Sequence, residues 1–142
     1  NLELIDKVNK GSVLGIENVL VETLKYRNSG KEVETTKASK VIKIRTTFDI
    51  KQNPIAEKGA KNIYIRFLNP NGNILLNTAR KQTFNTESGE KKYSALKQLQ
   101  YENKLISVSM DFKRRNPLTA GDYLLEIYID GILLGTRIFN LK

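Results

Sequence analysis

From Gly121 to Leu141 the chain spells out a β-hairpin, and a two-stranded ribbon alone is marginal in water, so the remaining residues must supply its cover. Tyr123, Leu125, Ile127 and Ile129 alternate with Leu124, Glu126, Tyr128 and Asp130, which puts the first set on one face of a strand. Asp130-Gly131 then turns the chain. A type I′ turn needs positive φ at both central residues, which Asp tolerates and Gly adopts freely, and its twist suits the flanking strands. On the return strand Leu134 and Phe139 both look inward but have opposite parity. An extra residue near Gly135 reconciles them, because a bulge sets two residues opposite one.

Upstream the same period of two recurs. Ile42, Ile44, Phe48 and Ile50 face one way, and Lys43, Arg45, Thr47 and Asp49 the other. Ile63, Ile65 and Phe67 alternate with Tyr64, Arg66 and Leu68, and Asn69-Pro70-Asn71-Gly72 makes a tight turn before a strand expected to start at Ile74 to Leu76. Ile106, Val108, Met110 and Phe112 alternate with Ser107, Ser109 and Asp111. Between these, residues 78–92 read as a short strand around Phe84 with a loop. Two stretches, 17–27 and 93–101, fit helix and strand alike. Two valines, a threonine and a tyrosine favour strand in the first, and the alternation of Tyr93, Ala95, Leu99 and Tyr101 favours it in the second. Residues 1–12 differ: Leu4 and Val8 are four apart and Leu2 and Ile5 three apart, the spacing of a helix, here a short remnant or coiled-coil linker ending at Gly11-Ser12.

The chain of 142 residues has room for one domain. Residues 13–142 are therefore expected to form an all-β, immunoglobulin-like antiparallel β-sandwich of about seven or eight strands. Tyr123, two residues after Gly121, is placed to act as a tyrosine corner whose hydroxyl bonds back to loop backbone.

Histidine and cysteine are both absent, which excludes disulfides, thiolate or imidazole metal sites, and every nucleophile arrangement that needs either residue. Asp111, Glu126 and Asp49 are the carboxylates available for paired acid-base work of the glycosidase kind. Nothing local builds a cleft around them, and each is simplest as a cross-strand partner of Lys or Arg. No catalytic, cofactor or metal site is expected, no run is long enough to cross a membrane as a helix, and this segment is expected to make no membrane contact of its own.

Gly11-Ser12-Val13-Leu14, the strand from Ala38 to Ile50, the loop from Pro54 to Gly59, Ile63-Tyr64-Ile65-Arg66 with Pro70-Asn71-Gly72, Tyr101-Glu102-Asn103 and the stretch from Gly121 to Lys142 carry a resemblance. Together they resemble the C-terminal domain of bacterial membrane-anchored coiled-coil proteins often labelled chromosome segregation or partitioning proteins. The resemblance implies a membrane anchor or signal, a long coiled coil and a terminal β-domain, and with them a periplasmic or cell-envelope location. It implies no catalytic residue.

Two surfaces are candidates for contact. Tyr64, Leu68, Leu124 and Tyr128 place apolar side chains on faces that should be wet, and if clustered they form a patch for a protein partner or a second copy. Lys43, Arg45 and Arg66 form a basic face if their strands are neighbours, and the net charge of +9 would let such a face take nucleic acid, another polyanion or an acidic carbohydrate. The commoner use of such cations is to keep a sheet surface soluble. The expected function is a non-catalytic interaction or assembly domain terminating a coiled-coil protein, with polyanion or carbohydrate binding as the alternative.

Overall fold

A computed structural model describes residues 14–142; the helical remnant expected over residues 1–12 lies outside the described residues. The described chain is an immunoglobulin-like antiparallel β-sandwich. One sheet holds β1 (Ile16–Tyr26), β2 (Glu32–Glu34), β3 (Lys43–Ile50) and β8 (Ile106–Lys113) in the order β2-β1-β3-β8. The other holds β4 (Gly59–Leu68), β7 (Ala95–Tyr101), β9 (Gly121–Ile129) and β10 (Ile132–Leu141) in the order β10-β9-β4-β7. A separate hairpin, β5 (Thr83–Thr86) and β6 (Gly89–Lys92), pairs only with itself. Both ambiguous stretches are strands, β1 and β7. Ile74 to Leu76, expected to start a strand, makes only a single bridge from Ile74 to Leu68, because the chain leaves for the hairpin at once.

The hairpin from Gly121 to Leu141 forms as its turn chemistry dictates. Asp130 and Gly131 have φ of 50° and 85°, and the β9–β10 register slips between Leu133 and Gly135. That slip brings both Leu134 and Phe139 against the core. The alternating residues of β3, β4, β8 and β9 interleave between the sheets, with Ile44, Phe48, Ile50, Ile63, Ile65, Phe67, Leu125 and Ile127 almost wholly removed from water. Phe67 meets Phe112 of the other sheet at 5.6 Å and Phe139 of its own sheet at 6.0 Å between ring centres, so one of these aromatic contacts crosses from sheet to sheet. Thr46 shares the inward face of β3 and is fully buried, and its hydroxyl has no hydrogen-bond partner among the described residues.

Three polar clamps hold the loops to this frame. The Tyr123 hydroxyl donates to Thr119 O at 2.7 Å and accepts from Thr119 N at 3.1 Å, which is the expected corner. Tyr101, equally buried, donates from its hydroxyl to Lys51 O and accepts from Asn53 N, both at 2.9 Å. Asn103 Nδ2 donates to Asn53 O and Ala56 O, pinning the connection between the two sheets. At one open side Lys97 Nζ on β7 reaches Ser109 O on β8 at 3.1 Å.

Candidate functional site

The outer face of the β10-β9-β4-β7 sheet is built in three rungs. Tyr64 pairs with Tyr128, Arg66 with Glu126, and Leu68 with Leu124; β10 adds Leu133, Thr136 and Ile138 to the same rungs, and β7 adds Leu96 beside Tyr64. The four residues of the expected apolar patch do share this face. The ion pair of Arg66 with Glu126 divides them into a tyrosine pair and a leucine pair.

The tyrosine pair is covered by the chain itself. Phe84 on β5 stacks on Tyr64 with ring centres 4.1 Å apart and meets Tyr128 edge-on at 5.2 Å, while Tyr93 closes on Tyr64 at 5.2 Å. Tyr128 and Phe84 are both buried, and burial pushes the phenols of Tyr64 and Tyr128 above the ordinary tyrosine value. Arg66 Nε fastens the cover by donating to Lys92 O at 2.8 Å. An open Tyr64–Tyr128 surface is thus replaced by a sealed one. A lone Phe84 in a polar stretch with a Ser88-Gly89 turn was the signal for it. The leucine pair stays outside: Leu68 and Leu124 are half-buried, and Ile138 at the end of their rung is 70% exposed.

The expected basic face is not assembled. Lys43 and Arg45 lie on β3 in one sheet and Arg66 on β4 in the other, and all three are matched by carboxylates. Lys43 Nζ meets Glu32 at 2.7 Å and Asp111 at 3.7 Å; Arg45 meets Asp111 at 2.8 Å and Glu32 at 3.1 Å. The bonds to Glu32 run from β3 across β1 to β2, over the outward-facing Leu24, which is buried although it stands outside the main core, and those to Asp111 run to β8 on the other side. The hydrogen bonds from Lys43 and Arg45 hold the Glu32 carboxyl below its ordinary range, and Arg45 does the same for Asp111. Of the carboxylates available for acid-base work, Asp111 and Glu126 are occupied by arginines in separate sheets, and Asp49 accepts from Asn18 Nδ2 and Ser107 Oγ. Among the described residues no three of Asp, Glu, His or Cys are placed to hold a metal ion.

A different group of cations does converge. An open concavity of about 890 Å³ lies where the end of β1, the turn after it, the 3₁₀ turn Ala38–Lys40 and the end of β8 meet. Lys25, Arg27, Lys40 and Lys113 line it together with Ser29 and Ser39, and no carboxylate does. None of the four cations forms an ion pair with a described carboxylate. The backbone under them is fixed. Gly30, with φ of 86°, closes the turn through Gly30 N to Arg27 O at 2.8 Å, and Ala38 is buried and donates from its N–H to Lys142 O at 2.8 Å. Arg114 Nε, next to Lys113, donates to Val41 O at 2.8 Å and ties the end of β8 to this corner. Arg114 and Arg115 themselves line another concavity, of about 300 Å³, so the run Lys113-Arg114-Arg115 is split between two sites.

The profile of a family described as Domain of unknown function (DUF8428) matches residues 17–142. The chain belongs to that family. This DUF8428 domain matches no curated protein. Among solved structures it is similar to a β-glucosidase from Kluyveromyces marxianus in complex with glucose, at 14% identity and a TM-score of 0.50, over 92% of the domain and 14% of the glucosidase chain. It is also similar to an immunoglobulin-like protein from Pseudomonas aeruginosa, at 14% identity and a TM-score of 0.35, over 93% of the domain and 98% of that chain. A Pseudomonas fluorescens alkylpurine DNA glycosylase bound to DNA is similar at 14% identity and a TM-score of 0.45, over 98% of the domain and 35% of its own chain. The DUF8428 domain thus spans a small part of the glucosidase, and at such identities the likeness concerns the fold.

Proposed function

We propose that the domain is a non-catalytic interaction module that assembles through the open edge of β10, with a second copy of the chain as its partner. The observation that carries this reading is Ile138, 70% exposed at the outer end of the Leu68–Leu124 rung. Strand β10 is an edge strand with Arg137 as its one charge and no proline, the kind of edge that templates further pairing; residues 36–38 already bond to Lys142 just past its end, so the edge left for a partner lies upstream of Lys142. Antiparallel pairing of β10 with its own copy about Ile138 sets Ile138 against Ile138, Thr136 against Asn140 and Arg137 against Phe139. No like charges are opposed, and the apolar rung runs on unbroken into the second subunit. A two-fold arrangement of this sort is self-complementary and closed. The capture of Asp111 and Glu126 by arginines supports the non-catalytic part of the reading.

The coiled-coil rod that the resemblance implies would hold two copies side by side and raise their effective concentration. A cell-envelope or chromosome-segregation setting rests on that resemblance alone.

Sedimentation equilibrium across a wide protein concentration range tests the assembly. The expected result is a monomer–dimer equilibrium that Ile138→Lys shifts to monomer throughout, while Leu96→Lys, on the opposite edge strand, leaves it intact. A wild-type protein that stays monomeric at the highest concentrations, or a dimer indifferent to Ile138→Lys, overturns the proposal.

A further inference from the structure

The geometry points to a second binding site, independent of the β10 edge: the concavity lined by Lys25, Arg27, Lys40 and Lys113 takes a compact ligand carrying several phosphate groups in succession. Many described Lys and Arg form no ion pair, and the first reason is that four of them converge here. Lys43, Arg45, Lys61, Arg66 and Lys81 each stand within 4 Å of a carboxylate, at distances up to 3.9 Å for Lys61 with Asp130. At this one corner four cations share a single concavity with no carboxylate in its lining. Mutual repulsion of unmatched like charges works against folding and is relieved when an anion enters.

The second reason is the mixture of donors. Arginine supplies a planar fork and lysine a compact point charge, both suited to phosphate oxygens, and the Ser29 and Ser39 hydroxyls at the rim add neutral donors. Neither hydroxyl is drawn into a hydrogen bond with a described residue. The third is preorganisation. The four cations come from three separate segments whose backbones are fixed by the Gly30 turn, by buried Ala38 and by the Arg114–Val41 bond, so binding orders side chains and not the loops that carry them. The concavity, of about 890 Å³, is open to solvent and exceeds what one phosphate fills. Four charges around that space match a linear oligophosphate better than a single oxyanion. The oligophosphate can be free or the tail of a nucleotide.

Isothermal titration of the whole protein with sodium tripolyphosphate at low ionic strength is the direct test, with inorganic phosphate, a nucleoside triphosphate and a long single-stranded DNA as parallel probes. The expected result is tripolyphosphate binding that is at least tenfold tighter than that of inorganic phosphate. The pair Lys40→Gln with Lys113→Gln should weaken it tenfold or more. The pair Lys58→Gln with Lys104→Gln removes the same net charge from exposed positions elsewhere and should leave it unchanged. Equal affinity for tripolyphosphate and the nucleoside triphosphate assigns the free oligophosphate as sufficient; a tighter nucleotide, with the gain lost in Tyr26→Ala, assigns the nucleotide. Amide resonances of Arg27, Ser29 and Lys40 should move on titration while those of Ile138 do not, a readout that needs no variant. Equal weakening by both lysine pairs, or binding of the DNA with none of tripolyphosphate, overturns the compact site in favour of diffuse charge.

Discussion

Replacing Phe84 by alanine tests whether the β5–β6 hairpin is a cover docked by one ring. Phe84 is 6% exposed and contacts three tyrosines, at 4.1 Å to Tyr64, 5.2 Å to Tyr128 and 6.1 Å to Tyr93. Deleting a buried aromatic ring costs about 3 to 5 kcal/mol. Because the hairpin pairs with no other strand and is tied by little else than Arg66 Nε to Lys92 O and Ser94 N to Ile65 O, that loss falls on local docking. A loss of about 3 kcal/mol corresponds to roughly a hundredfold fall in amide protection. Hydrogen exchange should show that fall over residues 83–92, with the centres of β3, β4 and β9 nearly unchanged. Ultraviolet titration should show the Tyr64 and Tyr128 phenols, which burial holds above the ordinary value, returning toward it. A uniform loss of protection through both sheets would refute the reasoning, since the hairpin would then belong to the main cooperative unit.

Thr46→Val removes a buried hydroxyl that has no partner among the strands around it, and should raise stability by about 1 kcal/mol, read as a higher urea midpoint at constant slope. A lower midpoint would mean that the hydroxyl is satisfied in solution. Acid should undo the network over Leu24. The folded pKa values of Glu32 and Asp111 are depressed, so their contribution is complete above the ordinary values of 4.5 and 3.8 and disappears as pH falls through the lowered ones. The gap in urea midpoint between wild type and Glu32→Gln with Asp111→Asn should therefore be widest near neutral pH and narrow progressively as pH falls below the ordinary carboxylate values; a gap independent of pH would show that the ion pairs contribute nothing.

Alternation tells which side chains are wet, and it read the strands of this chain down to the bulge at Gly135, because that slip is forced by the opposite parity of Leu134 and Phe139. It does not tell which wet faces are neighbours. β3 and β4 follow one another in sequence, yet the connection pinned by Tyr101 and Asn103 carries the chain from one sheet to the other, so Arg66 finishes on the far side from Lys43 and Arg45. The cover over Tyr64 and Tyr128 was hidden for a related reason: a single phenylalanine in a polar stretch marks that something is buried, not what it is buried on. The cationic corner was least legible of all. Lys25, Arg27, Lys40 and Lys113 come from three distant segments, and only the β1–β3–β8 pairing brings them together.

How the charges are shared explains why so basic a domain keeps one localised site. With 24 Lys and Arg against 15 Asp and Glu, some cations must go unmatched, and a random scatter would leave a weak field everywhere. Here some acidic residues stand on the flat faces: Glu32 and Asp111 hold Lys43 and Arg45 over Leu24, and Glu126 holds Arg66 between the tyrosine and leucine rungs. Those pairs let cations cover apolar side chains while keeping the faces close to neutral. The excess is left in part at the corner beyond Tyr26, where four unmatched side chains line one open concavity. The same division leaves Ile138 beside a nearly neutral face, where approach of a second copy meets little electrostatic opposition. Raising salt should accordingly weaken tripolyphosphate binding at the corner while leaving association through β10 almost unaffected, and a parallel salt response of the two would show that they share one surface.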